Sequence, residues 1–151
     1  MLELISVVVL VGILAAVAIP RFAGRVSFDT RGYTDRVRSA LQYAQKVAIA
    51  ERRNVCVDMT GGPITLTRSN LAGAGAACTV SVIDPTTGAA FSAGPAIPAG
   101  VAVNFSAPVI FDTLGQSVDA TGTPRAADVT VSVAGDFTTV ITIEKVTGHV
   151  H

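Results

Sequence analysis

At 151 residues, half of them hydrophobic and with fourteen glycines, the chain suits one small domain plus an appendage. That composition excludes a molecule whose apolar residues all sit in a single soluble core. The formal net charge of zero hides an asymmetry: residues 21–53 hold eight of the eleven basic residues against three acids, whereas residues 54–151 hold three bases and seven acids.

The first element is MLELISVVVLVGILAAVAIP, in which Glu3 is the one charge and Leu4 to Pro20 run uncharged. The run is slightly shorter than the ~20 residues that cross a hydrocarbon core, so a membrane span, a signal-peptide core and a buried helix all compete for it. An Ala16-Val17-Ala18 site suits signal cleavage, but the leading region is acidic where a signal peptide is basic. A soluble buried helix is disfavoured because no polar stripe interrupts the Val, Leu and Ile.

Residues 21–54 follow as a mixed basic segment. From Thr34, Val37, Leu41, Ala44 and Ala48 recur at helical spacing, with Arg36, Arg38, Gln42, Gln45 and Lys46 on the other sides, which predicts an amphipathic helix. Thr30 or Thr34 would cap its start and Asn54 its end, while Pro20 would kink rather than stop a helix running from residue 2 to 53. Basic residues beside a span ordinarily mark a cytoplasmic flank, which argues against export of the remaining chain.

From Val55 the apolar period shortens to two, in VCVDM, ITLTRS, CTVSVID, VAVNFS, VTVSVAG and TTVITIEKV, with Gly- and Pro-rich turns between them. The fold expectation is α+β: a long N-terminal helix, membrane half plus amphipathic half, laid on antiparallel sheet. Its divisions are a transmembrane half-helix at 1–20, an amphipathic half-helix at 21–54 and a β-rich domain at 55–151. Cys56 and Cys78 lack the spacing and nearby histidine of a zinc site, which leaves a disulfide or two buried thiols.

No Ser-His-Asp set, carboxylate pair, phosphate-binding loop or metal helix is visible, so catalysis, a cofactor and a metal are not expected. Asp112 and Asp119 flank a Gly-containing turn and read as turn caps before water-activating groups. His149 and His151 close the chain in TGHVH; a strand-end tail is the leading reading, and two imidazoles alone are too few for a metal.

The opening resembles the N-terminal signature of type IV pilins and type II secretion pseudopilins. Glu3 matches the family glutamate, Gly12 its mid-helix glycine and Pro20 the proline that ends the buried half; Met1-Leu2-Glu3-Leu4 fits if a basic leader and two residues precede it. RSALQYAQKVAIAERRNVCV, VIFDTLGQ and TGHVH resemble the GspH/FimT group of minor pilins and pseudopilins, including those of mannose-sensitive haemagglutinin pili.

The resemblance implies a subunit that initiates or tips a type IV pilus or secretion pseudopilus, with roles in cell adhesion or protein secretion. Its partners would be other pilins, an inner-membrane assembly platform and a prepilin peptidase that trims and methylates the N-terminus. It also places the chain in a bacterial inner membrane as a single-pass protein with its C-terminal domain in the periplasm, against the charge cue. Glu3 would meet the N-terminal amine of a neighbouring subunit, or else sit solvated among headgroups; burying it unpaired costs at least ~2.5 kcal/mol. Gly12 and Pro20 would let the helix bend or melt on assembly, or merely kink it. Some family members bind DNA with arginines where His149 and His151 stand, so a DNA-uptake receptor is an alternative, weakened because histidine is mostly neutral at pH 7. An exported periplasmic binding domain is a further alternative.

Overall fold

The computed structural model describes residues 2–22, 25–60, 62–73, 77–94 and 96–151, with side chains within α1 and α2 described over 3–14 and from 27 onward. Within the broken helix expected over 2–53, the described residues form α1 (Leu2–Phe22) and α2 (Arg25–Glu51). Pro20 falls inside α1, whose helical backbone continues to Phe22; its side chain lies outside the described residues.

Neither Thr30 nor Thr34 caps α2, which begins at Arg25. Both are buried in its interior, and the Thr34 hydroxyl donates to the Thr30 carbonyl at 2.8 Å. A threonine that satisfies its own hydroxyl on the preceding turn can face a core without acting as a cap. The other end stops three residues before Asn54: Arg52 adopts φ 52°, a left-handed conformation that breaks the helical repeat, and Asn54 is buried beyond it.

Among the described residues eight strands come next: β1 (Val55–Asp58), β2 (Ile64–Ser69), β3 (Cys78–Ser81), β4 (Ser92–Ala93), β5 (Ala102–Phe105), β6 (Val109–Phe111), β7 (Val129–Ala134) and β8 (Thr138–Ile143). β3, β2, β1 and β6 form one antiparallel sheet in that order, with β4 also paired to β2; β5, β7 and β8 form a second. All six expected strand segments are present. β4 and β6 are additional, and at two and three residues they are too short to show an alternation.

Both sheets meet α2 on a single face. Tyr33, Val37, Ala40, Leu41, Ala44, Val47 and Ala48 are buried there, the i, i+3, i+4 repeat of one helical stripe. Opposite them lie Val55 of β1, Leu66 of β2 and Phe111 of β6 from the first sheet, with Val129, Val131, Val133, Ile141 and Ile143 from the second. β7 and β8 pair from Val129↔Ile143 to Ala134↔Thr138, a register that turns these inward-facing residues of both strands to the same side.

Gln42 and Gln45, expected on the solvent sides of α2, are instead polar ties. Gln45 Nε2 donates to the Gly115 carbonyl at 3.1 Å and to the Thr147 carbonyl at 2.8 Å, and Gln42 Nε2 reaches the Val150 carbonyl at 3.5 Å. The Gly115 turn follows β6 and the Thr147 turn follows β8, so one amide joins loops of the two sheets. Gly148 completes the junction at φ +64°, where an added Cβ would collide with the Gly115 carbonyl oxygen.

Cys56 and Cys78 form a disulfide with a Cα–Cα distance of 6.0 Å across a sequence separation of 22, which resolves the choice left between bond and thiols. Constraining the unfolded chain over that length contributes roughly 3 kcal/mol.

Two substitutions test this junction in urea melts of the full chain in detergent. Gly148→Ala introduces both strain and collision and should cost roughly 2–4 kcal/mol, whereas Gly12→Ala, whose Cβ would meet nothing within 4 Å, should leave the domain's midpoint unchanged. Gln45→Leu should cost roughly 1–3 kcal/mol by stranding two carbonyls; equal midpoints for Gln45→Leu and wild type would show that the amide carries none of the inter-sheet tie.

Candidate functional site: the exposed apolar helix

Helix α1 lies apart from the core just described. Its large apolar side chains from Leu4 to Leu14 are each at least 54% exposed, Leu4 reaching 71% and Leu14 68%. They occupy every side of the helix, so no rotation could give it one wet and one dry face. Leaving these nine side chains in water costs on the order of 10–20 kcal/mol relative to burial. Among the described residues nothing within the chain covers them, and the surface calls for an apolar environment from outside.

Glu3 stands in the first turn of α1, exposed, as the sole charge before this surface. Acidic residues suit a helix start because the free backbone N–H groups carry partial positive charge. Ser6 lies one turn on and donates its hydroxyl to the Glu3 backbone carbonyl at 2.8 Å, and among the described residues the Glu3 carboxylate meets no basic partner. Gly12 presents a bare backbone patch, with nothing within 4 Å of the point where a Cβ would stand, and so a place where a second helix could approach closely. Glu3 and Gly12 thus share one helix with the apolar surface; the side chain of Pro20 and the rest of the expected span from 15 to 20 lie outside the described side chains. Among the described residues no helix is long and apolar enough to cross a membrane.

The C-terminal histidines are held by their backbone and exposed at their rings, which stack on each other. Thr142 and His151 exchange N–H···O bonds of 2.8 and 3.0 Å, and the Glu144 N–H donates to the His149 carbonyl at 3.0 Å, so the tail folds back along β8. Val150 is buried between two exposed imidazoles whose centroids stand 5.6 Å apart. Among the described residues no three His, Cys, Asp or Glu side chains converge as a metal site.

The aspartates flanking the Gly115 turn serve the backbone. Asp112 Oδ1 accepts from the N–H groups of Leu114 and Gln116, and Asp119 Oδ1 accepts from those of Thr121 and Thr123 and from the Thr121 hydroxyl. Asp58 and Asp84 repeat the arrangement with Thr60 and Thr86. A carboxylate oxygen engaged in this way closes a turn.

This architecture, a long helix whose second half packs on antiparallel sheets while its first half stands exposed, is pilin-like. Among solved structures the chain is similar to the type IV minor pilin FimU of Pseudomonas aeruginosa, with a TM-score of 0.52 over 85% of this chain and 87% of that one at 13% identity. At that identity the likeness shows the fold. The sequence matches no family model and no curated protein.

The turn aspartates set an acid limit on stability. Asp58, Asp84 and Asp119 are held below the usual 3.8, first by the hydroxyls of Thr60, Thr86 and Thr121 respectively and then by backbone N–H groups. Because the unfolded chain protonates first as pH falls, their stabilisation is complete above about pH 4–5 and is lost as pH drops through the depressed folded values. Thermal midpoints measured from about pH 6 to about pH 2 should fall in that lower range. The triple variant Thr60→Val, Thr86→Val, Thr121→Val should show a shallower fall, and an unchanged slope would exclude the hydroxyls as its cause.

Proposed function

We propose that the chain is a minor pilin or pseudopilin: a structural, non-enzymatic subunit that initiates or tips a type IV pilus or a type II secretion pseudopilus. The observation that carries this reading is the pairing of a closed, disulfide-linked domain with a helix that is apolar on all sides. A domain that needed α1 for its own core would bury it; this one leaves it for other helices. The pilin-like fold and the GspH/FimT resemblance of the helix, turn and tail segments support the same reading.

On this reading α1 resides in a bacterial inner membrane as a single pass, with residues 55–151 in the periplasm, and then leaves the bilayer to pack among equivalent helices. Transfer from lipid to a helix bundle changes apolar burial little, so the driving force lies in close packing and polar pairing. Gly12 would permit close approach and Pro20 local bending. Glu3 would pair with the N-terminal amine of a neighbour, and because a buried charge left unpaired is costly, the pair would set the axial register of subunits. Partners would be other pilins, the assembly platform and a prepilin peptidase.

Mass spectrometry of sheared surface filaments and of inner membranes from the native cell tests this. The chain should occur in both, at far lower abundance in filaments than the main subunit, with an N-methylated terminus and Cys56 bonded to Cys78. Glu3→Ala should reduce its presence in filaments by about tenfold or more at unchanged membrane level. A mature chain starting near Ile19 and free of the membrane would establish an exported binding domain instead. Salt-sensitive DNA retention by the full chain, lost in the His149→Ala, His151→Ala variant, would favour the uptake receptor.

A further inference from the structure

A cleft of about 230 Å3 opens between α2 and the β7–β8 connection, lined by Arg31, Thr34, Asp35, Arg38, Phe137 and Thr139. Arg31, Asp35 and Arg38 fall at i, i+4 and i+7 of α2, on one side of the helix. The Arg31 guanidinium lies over the Phe137 ring at 5.5 Å, which orients its charge toward the cleft wall. Arg38 is half-buried, and its Nε is shut off from solvent with no hydrogen-bond partner.

Neither arginine has an ion-pair partner: among the described residues the ion pair is Arg68 with Glu51 at 2.8 Å, far along the chain. Asp35 lies in the same cleft without closing on either guanidinium and offsets one of their two charges. A partly desolvated cation left unanswered is costly. Arg38 is such a cation, whereas Arg31 is exposed, and an anion entering the cleft would meet both guanidinium groups.

Position distinguishes among anions. Arg31 lies only nine residues along the chain from the end of α1 at Phe22, and arginine side chains in a helix lean back toward its N-terminus. Phe28, one turn earlier on the same side, is 79% exposed. An exposed aromatic beside arginines that follow an apolar helix is the pattern of a segment at the membrane–water boundary. Arginine forks match phosphate oxygens two at a time.

We propose that the Arg31–Arg38 cleft binds the phosphate of an anionic phospholipid headgroup while the subunit resides in the membrane. This rests on the membrane-anchored reading above. The basic segment on the exported side then has a purpose, which is to hold the start of α2 against the bilayer surface until assembly draws the subunit out.

The test uses the full chain reconstituted in bilayer discs of neutral phosphatidylcholine, with or without phosphatidylglycerol. The readouts are amide exchange over residues 27–38 and the number of phosphatidylglycerol molecules retained in native mass spectra. Phosphatidylglycerol should slow exchange and be retained. Arg31→Gln and Arg38→Gln should each lower retention about fivefold, and Asp35→Asn should raise it, a gain that a damaged fold could not produce.

Equal retention by wild type, Arg31→Gln and Asp35→Asn would overturn the proposal, as would equal protection by inorganic phosphate in neutral discs, which would mark a free-phosphate site. Unchanged retention with reduced filament incorporation in Arg31→Gln would assign the arginines to a neighbouring subunit and overturn it likewise. Failure of the chain to enter either disc would refute the anchored reading itself, whereas insertion without phosphatidylglycerol dependence refutes the headgroup site alone.

Discussion

Two sheets that share no strand pairing become one domain because a single stripe of α2 serves as the inner wall of both. From Thr30 to Ala48 every buried position of that helix is spent on this contact. The apolar faces of β1, β2 and β6 on one side, and of β7 and β8 on the other, have that wall in common. Remove it and each sheet exposes an apolar face with nothing to cover it. The Gln45 amide adds direction to an otherwise non-directional contact, since its two acceptors belong to loops of different sheets.

This division leaves the two helices with opposite obligations. α2 completes its burial within the chain, and α1 completes none of its own among the described residues. A subunit built this way is stable as a domain, yet carries an apolar surface that water disfavours, and that imbalance is what polymerisation or a bilayer would relieve. The disulfide belongs to the first obligation: by tying β1 to β3 it stabilises the domain without reference to what surrounds α1. On the function proposed, the same separation lets the domain present one surface to partners in the membrane and in a filament.

Much of this was legible along the chain. Val37, Leu41, Ala44 and Ala48 marked the buried face of α2 because the helical period is enforced by burial. Val129 to Val133 and Ile141 to Ile143 marked β7 and β8 because a strand buried on one face must alternate. The starts and ends of elements were less legible. Thr30 and Thr34 look like caps from their chemistry, and only their burial inside α2, with the Thr34 hydroxyl turned back on the helix, shows otherwise. β4 and β6 left no trace, since two or three residues cannot display a period and their pairing is supplied by neighbours remote in sequence.

The segments that carried the family resemblance show the limit most clearly. ALQYAQK, DTLGQ and TGHVH looked like separate features, and the fold joins them: Gln45 from the first holds Gly115 of the second and Thr147 at the head of the third. The same holds for Arg31 and Arg38, two cations among eight in a basic stretch until Phe137 and Thr139 close a cleft around them. By itself the sequence determined the class of the helices and of six of the eight described strands, the unrelieved apolarity of α1, its lone acid at Glu3 and the even pair of cysteines, because these follow from local period and composition. Whether the cysteines bond, which glutamines tie, and which charges lack a partner among the described residues were decided only by tertiary structure, because each depends on groups 22 to more than 100 residues apart being brought within a few ångströms.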